Sequence, residues 1–146
     1  MARAERTAGV VWQGDLPSGK GSLTMESSGA ASDMPVDWPA RSESANGKTS
    51  PEELIAAAHA SCYAMALSNV LSEGGNKPEE LDVSATAALE LDPLKITTMV
   101  LDVRGRVPGL DDSGFEEATA EAEQVCPVSN ALRGNVDVTV NATLES

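Results

Sequence analysis

The side chains whose chemistry stands out are Cys62, Cys126 and His59, the two cysteines and the one histidine among 146 residues. A thiolate is a nucleophile, and the sulfenic acid it forms on oxidation condenses with a second thiol. Two cysteines do not make a disulfide framework of the small secreted kind. Free cysteine is among the most buried residue types, so two inert core thiols are the competing reading. His59 precedes Cys62 by three residues, which places both on one face of a helix. That spacing permits a Cys-His nucleophile, although a helix-packing histidine is the reading we favour. A zinc site would need both cysteines, His59 and a carboxylate from distant segments, and the sequence has no CxxC or HExxH spacing. No glycine-rich phosphate loop with its lysine is present, so nucleotide chemistry has no support.

The elements that must position these groups read as follows. Residues 6–13 form a strand, Gly14-Asp15 and Pro17-Ser18-Gly19 a turn, and residues 21–26 a partner strand. Residues 27–50, rich in Ser, Gly, Pro and Asn, form a long connection holding Trp38 and Arg41. Ser50, Pro51 and Glu53 make a capping box opening a helix over 51–73, which Gly74-Gly75 stops. Its apolar residues spread almost all round, the mark of a helix buried in the middle of something. One chain of this size can hardly surround it, so a wrapping dimer is expected. Strands follow from Leu81 to Leu91 and from Ile96 to Val103, joined at Asp92-Pro93; Met99, Leu101 and Val103 supply the apolar face. Ser113 and Glu116 open a second helix over about 114–125, Cys126-Pro127 breaks it, and Pro127–Leu132 begins a fresh turn. Val136 to Leu144 closes the chain as an alternating strand. The order ββ-α-ββ-α-β predicts a single α+β domain over 1–146.

Thiol reactivity depends on what lowers the pKa. Cys62 lies twelve positions beyond Ser50, and a helix dipole acts only within the first turn, so Cys62 needs a nearby cation. Cys126 sits at a helix N-terminus, a position that can itself acidify a thiol. On these grounds alone Cys126 is at least as good a candidate for the acidic thiol. Arg133, just after that helix, is one source of positive charge.

Composition limits the partners. Lys and Arg total 10 against 23 Asp and Glu, a net charge of −13. That balance repels phosphate backbones and anionic lipid, so neither nucleic acid nor a membrane surface is expected. No apolar run is expected to span a membrane, and the first residues lead into no apolar signal core, which points to the cytoplasm. Hydrophobic residues are 41% and charged residues 23%, within the globular range. Aromatics are 3%, so the core must rest on aliphatics and alanine.

The segment from Thr49 through Cys62 to Ser68 resembles the first-cysteine helix of the OsmC/Ohr family, the osmotically inducible protein C and organic hydroperoxide resistance proteins. Cys126-Pro-Val-Ser-Asn-Ala-Leu132 resembles that family's second-cysteine motif. Trp12-Gln-Gly-Asp, Gly19-Lys-Gly, Glu26-Ser and Val107-Pro-Gly-Leu-Asp111 are similar to the OsmC branch. The resemblance covers essentially the whole chain. It implies an intertwined homodimer, with antiparallel sheets wrapped around central helices. It also implies a peroxidase for organic hydroperoxides that needs no metal or organic cofactor. On this carry-over Cys62 is the peroxidatic cysteine, Cys126 the resolving cysteine, Glu52 the active-site glutamate and Arg41 the upstream arginine. Ser42 follows Arg41 where the OsmC branch has an aromatic residue, and Tyr63 stands where the family usually has Phe.

By this reading Arg41 lowers the Cys62 pKa and steadies the departing alkoxide, while Glu52 holds the guanidinium fork. Cys126 then closes a disulfide, which a thiol or lipoyl-type reductant reopens. Glu52 and Cys62 are ten residues apart, about 15 Å along one helix. If they act together, Glu52 of one subunit must meet Cys62 of the other. The bland alternatives are a first-turn acid favoured by the helix dipole and a solvated loop arginine. The alternative function is a non-enzymatic ligand-binding or redox-sensing module on the same fold.

Overall fold

A computed structural model describes residues 2–145, which divide into two compact units at Pro51/Glu52. The first unit is a small antiparallel sheet. Strands β1 (Gly9–Gln13), β2 (Lys20–Thr24) and β3 (Met34–Val36) lie in the order β1-β2-β3. The hairpin register pairs Trp12 with Gly21. A Cβ on Gly21 would lie 2.9 Å from the Trp12 ring and 2.8 Å from Val36 Cγ2, so only glycine lets the indole lie across β2. The long connection expected over 27–50 is partly ordered by β3 and by a one-turn helix, α1 (Trp38–Ser42). Asp37 caps α1 by accepting from Ala40 N at 2.8 Å, and Lys48 Nζ binds the other Asp37 oxygen at 2.8 Å. Local capping chemistry explains why composition alone read this stretch as loop.

The second unit contains α2 (Pro51–Glu73), β4 (Glu80–Leu91), β5 (Leu94–Arg106), α3 (Asp112–Val125), α4 (Pro127–Leu132) and β6 (Asp137–Glu145). The sequence boundaries of α2 and of the 127–132 turn are those observed. At the end of α2, Gly75 adopts φ 88° and the Asn76 N–H reaches Leu71 O at 2.9 Å, a closure that favours glycine. The α3 cap differs from expectation. Asp111, not Ser113, is the N-cap, and its carboxylate accepts from Gly114 N at 2.8 Å. The helix begins two residues earlier than expected, so Asp111 is the side chain within reach of the free amides.

Strand β5 is central, antiparallel to β4 and parallel to β6. The wholly antiparallel sheets expected from the resemblance are corrected here. The connection from β5 to β6 carries two helices, which brings the chain back in its original direction. Met99, Leu101 and Val103 on one face of β5 are almost wholly buried. Leu101 and Val103 join Tyr63, Leu67 and Leu71 of α2, Phe115, Ala118 and Ala122 of α3, and Cys126 in one core. The α2 residues recur at four-residue spacing, so a single stripe of this helix meets the core. Its other faces are less covered, and Met65 is 72% exposed. By length and mean hydropathy, 1.4 over eighteen residues, α2 is apolar enough to cross a membrane, contrary to expectation. Length and hydropathy are also what a long core helix shows, and its Tyr63-Leu67-Leu71 stripe is built into the core.

Gly105 is the tightest point where β5 meets α3. A Cβ there would lie 2.6 Å from the Phe115 ring. Gly105→Ala is expected to destabilise the fold by about 1–3 kcal/mol, the usual cost of overpacking. Urea unfolding measures this, and an unchanged midpoint would show that Phe115 moves aside freely.

Candidate active site

Cys62 sits midway along α2 and is half-buried, while Cys126 is fully buried at the joint between α3 and α4; both are free thiols. The fold brings them together. The Cys126 thiol lies beside Cys62, and the Val128 N–H faces the Cys62 sulfur. Val128 is in the first turn of α4, whose amides have no partner within the helix. The helix N-terminus thus serves Cys62 rather than Cys126. Cys126 stands at the N-cap position but makes no side-chain cap hydrogen bond.

The helix end does not suffice to acidify Cys62. Burial pushes the Cys62 thiol above its ordinary value, the Val128 N–H opposes that rise, and the neighbouring Cys126 thiol adds to it. None of these influences is a cation. Arg133, the rival activator, is engaged elsewhere. Its Nη2 donates to Glu123 Oε1 at 2.8 Å and to Glu123 O at 3.0 Å, and its Nη1 donates to Asn130 Oδ1. These bonds pin the end of α4 to α3.

Two further hydrogen bonds flank Cys62. Tyr63 Oη donates to Thr119 O at 2.8 Å, tying α2 to α3. His59 Nε2 shares a 2.7 Å hydrogen bond with Ser129 Oγ, tying α2 to α4. His59 is fully buried and its Nδ1 has no hydrogen-bond partner. It is the packing histidine the sequence favoured, with a polar contact that the sequence did not disclose. Ser129 and the Val128 amide were missed. Their signal is the spacing after Cys126, which sets Ser129 three residues beyond one cysteine as His59 stands three before the other.

Glu52 occupies the first turn of α2 and is buried. Glu52 and Cys62 both lie on α2, about 15 Å apart along its axis. In the first unit Arg41 ends α1 half-buried, its guanidinium 5.9 Å above the Trp38 ring. Trp38 lies three residues before Arg41, about one helical turn, so the contact is a cation–π interaction within α1. Among the described residues, no three His, Cys, Asp or Glu side chains are grouped to hold a metal ion.

The site and the sheet around it define a two-cysteine α+β protein, and comparison gives the family. Residues 44–141 match the model of the OsmC-like protein family. The chain is 39% identical over 137 residues to the Escherichia coli protein named peroxiredoxin OsmC, covering 92% of this chain and 93% of that protein. It is 35% identical over 116 residues to an organic hydroperoxide resistance protein of Xanthomonas axonopodis pv. citri, covering 78% and 81%. Among solved structures, an OsmC organic hydroperoxide resistance protein from Legionella pneumophila superposes with TM-score 0.71 at 28% identity, covering 97% of this chain and 99% of that one. OhrB of Bacillus subtilis superposes with TM-score 0.67 at 26% identity, covering 94% and 98%. The chain belongs to the OsmC-like family.

The buried histidine carries a pH signature. Burial lowers the His59 pKa from 6.5, and the Glu123 carboxylate opposes this only in part. The unfolded chain therefore takes up this proton more readily than the folded one. The stability His59 allows is complete above about pH 6.5 and is lost as the pH falls below it. Urea midpoints between about pH 8 and pH 5.5 are expected to fall more steeply for the wild type than for His59→Gln. Parallel curves would remove His59 from the linkage.

Proposed function

We propose that this chain, acting as one OsmC-like domain over 1–146, is a thiol-dependent peroxidase that reduces organic hydroperoxides. The observation that carries the reading is the placement of the Cys126 thiol and the Val128 N–H on Cys62. The names of the relatives support it. The Cys62 thiolate attacks one peroxide oxygen, the O–O bond breaks, and the departing alkoxide takes a proton to become an alcohol. Cys62 is left as a sulfenic acid, which Cys126 converts to a disulfide with loss of water. A thiol or lipoyl-type dithiol restores both thiols, so no bound cofactor is needed. A reducing cytoplasm supplies such donors.

The raised Cys62 thiol leaves activation to a cation, and Arg41 is the residue we assign. A guanidinium favours the thiolate and hydrogen-bonds the leaving oxygen as charge develops. Glu52 holds its planar fork, a geometry that lysine does not reproduce. We assign each site to two subunits, with Glu52 of one beside Cys62 of the other. A homodimer also covers the apolar faces that α2 presents around Met65. A dimer whose Glu52 side chains all stand remote from Cys62 would overturn this arrangement.

The alternative reading is a non-enzymatic ligand-binding or redox-sensing module on the same fold, which oxidises once without turnover. Steady-state peroxide consumption with a dithiol separates the two, since only the enzyme cycles. The first experiment adds one equivalent of cumene hydroperoxide to the reduced protein and to Cys126→Ser. Intact mass is expected to show the wild type losing two hydrogens and the variant gaining one oxygen. An unchanged wild type would overturn the peroxidase reading. Arg41→Lys is expected to slow the peroxide reaction by roughly 10²-fold, the scale for losing one preorganised donor to a developing oxyanion. A wild-type rate would release Arg41 from this role.

A further inference from the structure

His59 and Ser129 are fully buried polar residues that the chemistry above does not use. Their 2.7 Å hydrogen bond joins the middle of α2 to the first turn of α4. Each lies three residues, about one turn, from a cysteine. The pair is not an economical way to fill a core. The ring leaves Nδ1 buried and unpaired, which an apolar side chain of similar volume would avoid.

What the pair holds is the short helix. Six-residue α4 is too short to be stable through its own hydrogen bonds. Its far end is tied to α3 through Arg133 and Glu123. Its near end carries both groups that reach Cys62, the Cys126 thiol and the Val128 N–H. Ser129 is the next residue after Val128, and its side chain is anchored on the helix that bears Cys62.

We propose that the His59–Ser129 hydrogen bond is a positioning latch that sets α4 on α2, holding Cys126 ready to resolve the oxidised Cys62. The inference rests on the two-cysteine reading given under the proposed function. The step it governs breaks the S–O bond of the Cys62 sulfenic acid and forms the S–S bond. The Cys126 thiol proton leaves with the hydroxyl as water, and no further oxidant is consumed. The competing step is attack on a second hydroperoxide, which carries Cys62 irreversibly to sulfinic acid. The latch sets the ratio between the two.

The test follows both steps in the full-length protein by rapid quench and intact mass, with cumene hydroperoxide as oxidant. Ser129→Ala removes the bond; Ser129→Thr keeps a hydroxyl at the same place. His59→Leu removes the bond from the α2 side with the volume filled, so the result does not depend on one variant folding. Ser129→Ala and His59→Leu are expected to slow disulfide formation roughly tenfold, about what one lost buried hydrogen bond gives. Sulfenic acid formation is expected to fall less, and the sulfinic share at excess peroxide to rise. Ser129→Thr is expected to restore the wild-type share. A merely structural role would lower stability and leave the sulfinic share unchanged, and that result overturns the latch. Equal slowing of both steps, or Ser129→Thr behaving as Ser129→Ala, also overturns it. A wild type that forms no disulfide fails at the earlier step, and then the two-cysteine reading falls and the latch with it.

Discussion

The chemistry of the second unit depends on one contact, that between the middle of α2 and the first turn of α4. A six-residue helix has little stability of its own. It is held by side chains from its neighbours: Glu123 through Arg133 at one end and His59 through Ser129 at the other. With α4 in place, one turn of backbone delivers both an N–H and a second thiol to Cys62. The sheet serves this contact indirectly. Leu101 and Val103 of β5 form the floor on which α2 and α3 are fixed. Gly105 lets the Phe115 ring seat α3 closely enough for Cys126 to follow at its end.

The electrostatics around Cys62 favour a resting thiol. Burial favours the neutral form of Cys62, and a single backbone N–H offsets only part of that cost. A second thiol nearby adds no positive charge. None of the groups that shift the Cys62 thiol is a cation. Arg133 does not fill that role because its donors are committed to Glu123 and Asn130.

Helix α2 makes the same point from its surface. One stripe, Tyr63, Leu67 and Leu71, packs inside its own unit. The rest stays apolar with partial cover, Met65 above all. Apolar surface of that kind is normally covered by a partner.

Much of this was legible in the sequence because it is local. Pro51 and the Gly74-Gly75 pair bound α2, alternation marked β4, β5 and β6, and Cys126-Pro127 placed the break between α3 and α4. The two cysteine motifs, in order, pointed to the family that comparison then gave. Non-local facts were not legible. The parallel pairing of β5 with β6 follows from how two helices pack over the sheet, which periodicity does not encode. Likewise, only the tertiary structure decided that the α4 amides serve Cys62, that Arg133 is occupied by Glu123, and that His59 meets Ser129 seventy residues away. Sequence spacing fixes which side chains share a helix face; which of them meet across helices is settled by packing.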